Sequence, residues 1–192
     1  MIKRNDYIII HHTLVSREKN DEQFDAVDNY HRSLGWGKIG YSVFIEQDGT
    51  VKKGRGYDEV GAHCSQKLMN YRSIGICLAG NFDIEDPTTE QIEVLYRVVN
   101  ELRVVYNIPV DKVLPHRHFA TYKSCPGNRL TDSFIQEVAI GYISNPISEW
   151  AKESVAWCKE TGIATNFDFP QNPVTKEEMA VMLHRYHNLK DV

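Results

Sequence analysis

Short, almost wholly apolar runs alternate along this chain with stretches in which apolar residues recur every three or four positions. Tyr7-Ile8-Ile9-Ile10 is the first run, and its β-branched residues between polar flanks predict a buried strand that reaches His11. Beyond a loop at Ser16 to Asp21, the spacing of Phe24, Val27, His31 and Leu34 predicts a helix, capped by Asn20 or Asp21, with those four residues facing inward. Gly35 and Gly37 stop it on either side of Trp36. Tyr41 to Glu46, then Asp48-Gly49 and Val51, reads as a β-hairpin with Tyr41 beginning its first strand. Gly54, Gly56 and Gly61 imply close backbone approaches or left-handed positions. Ser73 to Gly80 is near-continuously apolar, as a central strand covered on both faces would be.

Thr88 with Gln91 forms a capping box, and Ile92, Leu95, Val99 and Leu102 carry an apolar stripe as far as Tyr106. Lys112-Val113-Leu114 then brings the chain to His116, and Thr131 caps a helix with Phe134, Ile135 and Val138 inside. Strands interspersed with helices predict an α/β fold, a central mixed and mostly buried β-sheet flanked by helices. Asn145-Pro146 marks a boundary between a main domain, residues 1–144, and a small helical unit, residues 145–192. In that unit Trp150, Val155 and Trp157 share one helix ending at Thr161-Gly162; Thr175 to Glu178 opens another with Met179, Met182, Leu183 and Tyr186. So small a unit must lean on the main domain, pair with a second copy as a homodimer, or be one repeat of an array.

Composition narrows the function. A formal charge of -4 gives no electrostatic case for a nucleic-acid partner, and no run is long enough to span a membrane. The N-terminus MIKRNDYIII lacks the apolar core and cleavage site of a signal peptide. The four cysteines, Cys64, Cys77, Cys125 and Cys158, permit two disulfides, yet a chain of this length does not need them, and reduced thiols are expected.

Cys125 alone has company that suggests chemistry. The stretch HRHFATYKSCPG, residues 116–127, places His116, His118, Lys123 and Cys125 close together, and His11-His12-Thr13 ends the first strand. Two imidazoles, one thiolate and an open position are a catalytic zinc ligand set, which His11, His116 and Cys125 can supply. His12 and His118 are rival ligands. Adjacent strand residues face opposite sides, so His11 and His12 cannot both enter one site, whereas His118 shares the face of His116 if that stretch is extended. Lys123, two residues from Cys125, is a candidate for stabilising an oxyanion, and Tyr41 for orienting water or donating to that oxyanion. His31 reads as a hydrogen-bonded core residue, and His63 as a cleft residue that meets substrate. No serine lies in a GxSxG elbow. A cysteine nucleophile with His116 as base leaves His11 idle, and a structural zinc needs a fourth ligand from His118 or His12.

Six ordered blocks, IIIHHT, GWGKIGYSVFIEQDGTVKKGR, VGAHC, NYRSIGICLAGNF, PTTEQIEVL and HRHFATYKSCPG, resemble the zinc N-acetylmuramoyl-L-alanine amidases of the peptidoglycan recognition protein and phage lysozyme-like superfamily. The resemblance implies Zn2+ held by His11, His116 and Cys125, a catalytic Tyr41 and Lys123, and a muramoyl-peptide partner, peptidoglycan, met by His63, Trp36 and Asn70. Members without activity commonly lose the cysteine, so Cys125 favours an enzyme over a recognition protein. Ser42 and His118 depart from the histidine and aspartate that the family often carries there. The segment from about Asn145, with VTKEEMAVMLHR, resembles one S-layer homology repeat, implying a secondary cell-wall polymer as partner. A phage or prophage endolysin held in the host cytoplasm until lysis fits these features, with a cytoplasmic muropeptide-recycling enzyme as the alternative.

Overall fold

The computed structural model describes residues 3–18 and 22–141, together with Trp157, Glu160 and Thr161. The chain divides into two units, Met1–Gly141 and Tyr142–Val192. Asn20, Asp21 and nearly all of the second unit, including the segment similar to an S-layer homology repeat, lie outside the described residues.

Five strands form one mixed sheet in the order β3-β2-β4-β1-β5. Strand β1, Tyr7–His12, is flanked by β4, Ser73–Leu78, and β5, Val113–Pro115, both parallel to it. Strand β2, Val43–Ile45, runs parallel to β4, and β3, Val51–Lys53, closes the edge antiparallel to β2. The apolar runs are buried as their composition requires: Ile8, Ile9, Ile10, Ile74, Ile76 and Leu78 are wholly inaccessible. Burying each such side chain favours the fold by about 1.5–3 kcal/mol before entropy is counted. Tyr41 lies just before β2 rather than opening it, and β5 begins at Val113.

Within the first unit the described residues form four α-helices: α1, Phe24–Ser33; α2, a single turn at Met69–Arg72; α3, Thr89–Tyr106; and α4, Asp132–Ile140. The expected capping box on α3 is present, the Thr88 hydroxyl accepting from the Gln91 backbone while the Gln91 side chain accepts from that of Thr88. Thr131 caps α4, which buries Ile135 and Val138 and packs on α3 and β5.

Helix α1 departs from expectation. Its N-cap, Gln23, makes no side-chain capping bond. Instead the buried Glu46 carboxylate, just past β2, accepts from the backbone N–H groups of Gln23 at 3.0 Å and Phe24 at 2.8 Å. A negative group at a helix N-terminus meets both the unpaired donors and the positive end of the dipole. Leu34, expected inside, is 45% exposed because α1 ends at Ser33 and the chain has already turned outward. The hairpin turn is tied by Asp48, which accepts from the Thr50 backbone at 2.8 Å.

Candidate metal centre and groove

The parallel sheet sets the first ligand. His11 lies in the last two residues of β1, opposite Cys77 of β4, and is 1% exposed. The pleat sends His12 to the other side, where its Nδ1 accepts from the Phe82 backbone at 3.2 Å. Strand β5 delivers the second ligand, because His116 follows Pro115 directly at the opening of a 3-10 turn, His116–His118. In that turn residues two apart point well away from one another. The extended stretch that would have set His118 beside His116 is therefore absent; His118 is exposed and packs on Phe119, with ring centroids 5.0 Å apart.

Cys125 returns to the site on a loop that Arg117 holds. The guanidinium donates to the carbonyls of Ser124 at 3.1 Å, Gly127 at 3.0 Å and Leu130 at 2.7 Å, and Nε to Asp132 at 2.9 Å. Its backbone N–H donates to the Cys125 carbonyl at 2.8 Å. Asp83 ties the same loop, accepting from the Ser124 hydroxyl at 2.7 Å and the Asn128 N–H at 3.0 Å.

The result is a donor cluster, one atom each from His11, His116 and Cys125, all within 4.8 Å of one another. Cys125 Sγ lies 3.7 Å from His11 Nδ1, and the rings of His11 and His116 are 4.4 Å apart. Its chemistry suits a cation. Burial, then the charge of Lys123 and the neighbouring His12, push His116 down to about 4. Burial and the surrounding imidazoles of His116, His63 and His12 push His11 well down too. Both rings are thus neutral at ordinary pH, with lone pairs to give. Burial pushes the Cys125 thiol up to about 11, partly offset by a hydrogen bond with the His12 backbone and by Lys123 and Arg117. A thiol so placed ionises at neutral pH when a metal ion competes for its proton.

Around the cluster lies a cleft of about 460 Å3, whose walls include Tyr41, Trp36, His63, Tyr122 and Lys123. A second cavity of about 340 Å3, lined by Asn70 and Gln66, shares Trp36, His63, His116, Tyr122 and Lys123 with it, so the two form one groove. The Tyr41 ring is 5.1 Å from that of His11. Burial, then Cys77 and Cys125, push its hydroxyl well above the ordinary 10, so it remains a donor. Lys123 is exposed at the rim, its ammonium 5.8 Å over the Tyr122 ring. Trp36 is 42% exposed and stacks on His31 at 4.6 Å. His31, buried and accepting from the Gly40 N–H at 3.1 Å, is the hydrogen-bonded core residue its position suggests. Ser42 is buried and is not among the groove-lining residues. Asn70 uses its carbonyl oxygen to accept from the His63 and Cys64 backbones, both at 2.8 Å.

Cys64, Cys77 and Cys125 are free thiols. Sequence reasoning missed Arg117, whose neighbours in HRH hid it, and Tyr122, 76% exposed on the groove wall. A large aromatic in a loop beside candidate ligands was the available signal for the latter.

The family described as N-acetylmuramoyl-L-alanine amidase matches residues 2–128. An endolysin of Enterobacteria phage K11 is 34% identical over 120 residues, 60% of this chain and 76% of the relative. Peptidoglycan-recognition protein SC1a of Drosophila melanogaster is 33% identical over 129 residues, 65% of this chain and 69% of that protein. Among solved structures, N-acetylmuramoyl-L-alanine amidase LysC from Clostridium intestinale superposes with a TM-score of 0.62 at 31% identity, covering 70% of this chain and 84% of LysC. A match that runs from the first strand through the loop of Cys125, residues 2–128, makes this chain a member of the N-acetylmuramoyl-L-alanine amidase family.

Proposed function

We propose that the chain is a zinc-dependent amidase that hydrolyses the bond between the lactyl group of N-acetylmuramic acid and the L-alanine that begins the stem peptide. The observation that carries this reading is the juxtaposition of the His11, His116 and Cys125 donors, within 4.8 Å of one another, with Tyr41 and Lys123 on one groove. Zinc bound there would polarise the scissile carbonyl and make water nucleophilic near neutral pH. The protein supplies the rest. Tyr41, kept protonated by burial, donates to the oxygen on which negative charge builds, and the Lys123 ammonium at the rim adds a positive field there. Trp36, His63 and Asn70 line the groove, where they can meet sugar and peptide on either side of the bond. Among the described residues three donors meet, and a metal held by them would keep a position for substrate or water, which favours a catalytic over a structural ion.

A finer reading is a phage or prophage lysin that waits in the host cytoplasm and acts on the wall after release, with residues 145–192 as a wall-polymer-binding or dimerising unit. Similarity to phage endolysins supports the lysin part of this reading, and the likeness of VTKEEMAVMLHR to an S-layer homology repeat is what suggests the role of the tail. The second reading is a recognition protein that grips muropeptide without cutting it, favoured by the similarity to peptidoglycan-recognition proteins. Mass spectrometry of digested peptidoglycan separates the two. Free stem peptides beginning with L-alanine beside intact glycan establish the amidase, and Cys125→Ala should abolish them; binding with no product establishes recognition.

A further inference from the structure

His63 does more than line the groove. Its Nδ1 lies 3.0 Å from His11 Nε2, with the two rings nearly perpendicular at 87°. His11 turns its other nitrogen, Nδ1, toward Cys125 Sγ at 3.7 Å. If His11 gives the Nδ1 lone pair to a metal, its proton must sit on Nε2, and the atom placed to receive that proton's hydrogen bond is His63 Nδ1.

The His63 ring is held for this task. A Cβ on Gly61 would lie 2.6 Å from its Cδ2, and one on Gly75 2.7 Å from its Cδ2 and Cγ, so two glycines open a slot that the imidazole fills. The His63 backbone is fixed by Asn70, whose side-chain oxygen accepts its N–H at 2.8 Å and whose backbone carbonyl accepts from Gly61 at 2.9 Å. The Ser73 backbone lies beside the same ring as a further hydrogen-bond partner, so the glycine slot and the bond to His11 together set its orientation.

We propose that His63 is a positioning residue: it accepts the His11 Nε2–H, fixing the tautomer and ring plane in which His11 presents Nδ1 beside Cys125 and His116. The proposal rests on the zinc reading above. Outer hydrogen bonds of this kind orient metal ligands and raise their basicity.

Zinc affinity of the full chain, measured by competition with a chromophoric chelator, tests it for wild type, His63→Ala and His63→Asn. Removing the acceptor in His63→Ala should weaken zinc by about 10- to 100-fold. His63→Asn, whose carbonyl oxygen falls near the place of Nδ1, should restore most of that loss, which a purely space-filling role would not predict. In parallel, long-range 1H–15N correlation on the zinc-loaded wild type should find the His11 proton on Nε2; this readout needs no variant to fold. Unchanged affinity in His63→Ala, or a His11 proton on Nδ1, overturns the proposal while leaving the zinc reading intact. A wild-type protein that takes up no zinc overturns both.

Discussion

Removing the Glu46 carboxylate should destabilise the main domain far more than its distance from the groove suggests. Glu46 is 3% exposed and accepts from two backbone N–H groups at the start of α1, those of Gln23 and Phe24. In Glu46→Ala both donors lose their partner where water has little access. Each buried donor left unpaired costs about 1–3 kcal/mol, and the lost charge at a helix N-terminus adds about 0.5 kcal/mol. Allowing for partial relaxation, the expected loss is about 3 kcal/mol, which for a domain of this size lowers Tm by roughly 10 °C. Glu46→Gln keeps an acceptor oxygen and should lose about 1 kcal/mol, the charge-assisted part of the bond. The measurement is urea unfolding of chelator-treated protein, which removes metal linkage from the comparison. A Glu46→Ala midpoint equivalent to less than about 0.5 kcal/mol of loss, the range of ordinary surface substitutions, would refute the capping argument.

Tyr41→Phe should keep the fold and zinc affinity while lowering kcat by about 100- to 1,000-fold, the cost of one oxyanion donor; unchanged kcat on purified peptidoglycan would remove Tyr41 from the chemistry. Arg117→Lys retains charge but cannot reach the carbonyls of Ser124, Gly127 and Leu130 together, so zinc affinity should fall although no ligand is touched, and equal affinity would show that the Cys125 loop holds itself. Acid should destabilise the metal-free protein. Burial pushes His12 and His116 down to about 4 and His63 to about 3, below the ordinary 6.5, so the unfolded chain binds protons that the folded one refuses. Stability is then full above pH 6.5 and lost as pH falls toward 4; a urea midpoint that stays constant from pH 7 to about 4.5 would contradict this.

Local signals carried the sequence reading a long way. The apolar run at Tyr7 to Ile10, the Thr88–Gln91 box and the Thr131 cap are each specified by neighbours in the chain, and each forms as expected. Local features, a strand end and a dense loop of ligand-type residues, nominated His11, His116 and Cys125 together with the rivals His12 and His118, and the resemblance to the amidases singled out the trio that the fold brings together across 114 residues. What stayed hidden depends on partners far along the chain. Nothing near Gln23 announces that Glu46 will cap it, and Asn20 and Asp21 were the natural local choices. His63 could be placed in a cleft by its glycines, but its bond to His11 follows only from Gly75 of β4 passing behind its ring. The alternative of His118 as ligand stayed open because it required an extended stretch, and the residues HRH do not distinguish that from the 3-10 turn that forms.

The strand order has a consequence for how the protein is made. Strand β1 is the first to leave the ribosome, yet its two neighbours in the sheet are β4 and β5, which follow only at residues 73–78 and 113–115. Until residues 73–78 have been made, therefore, the nascent chain carries Ile8, Ile9 and Ile10 with both backbone edges unpaired, and one edge stays open until residues 113–115 follow, an adhesive segment that invites a chaperone or a second nascent chain. The same order withholds the chemistry. A nascent chain that has not yet reached Cys125 lacks one of the three donors, so the metal-binding cluster can assemble only after that loop has been made.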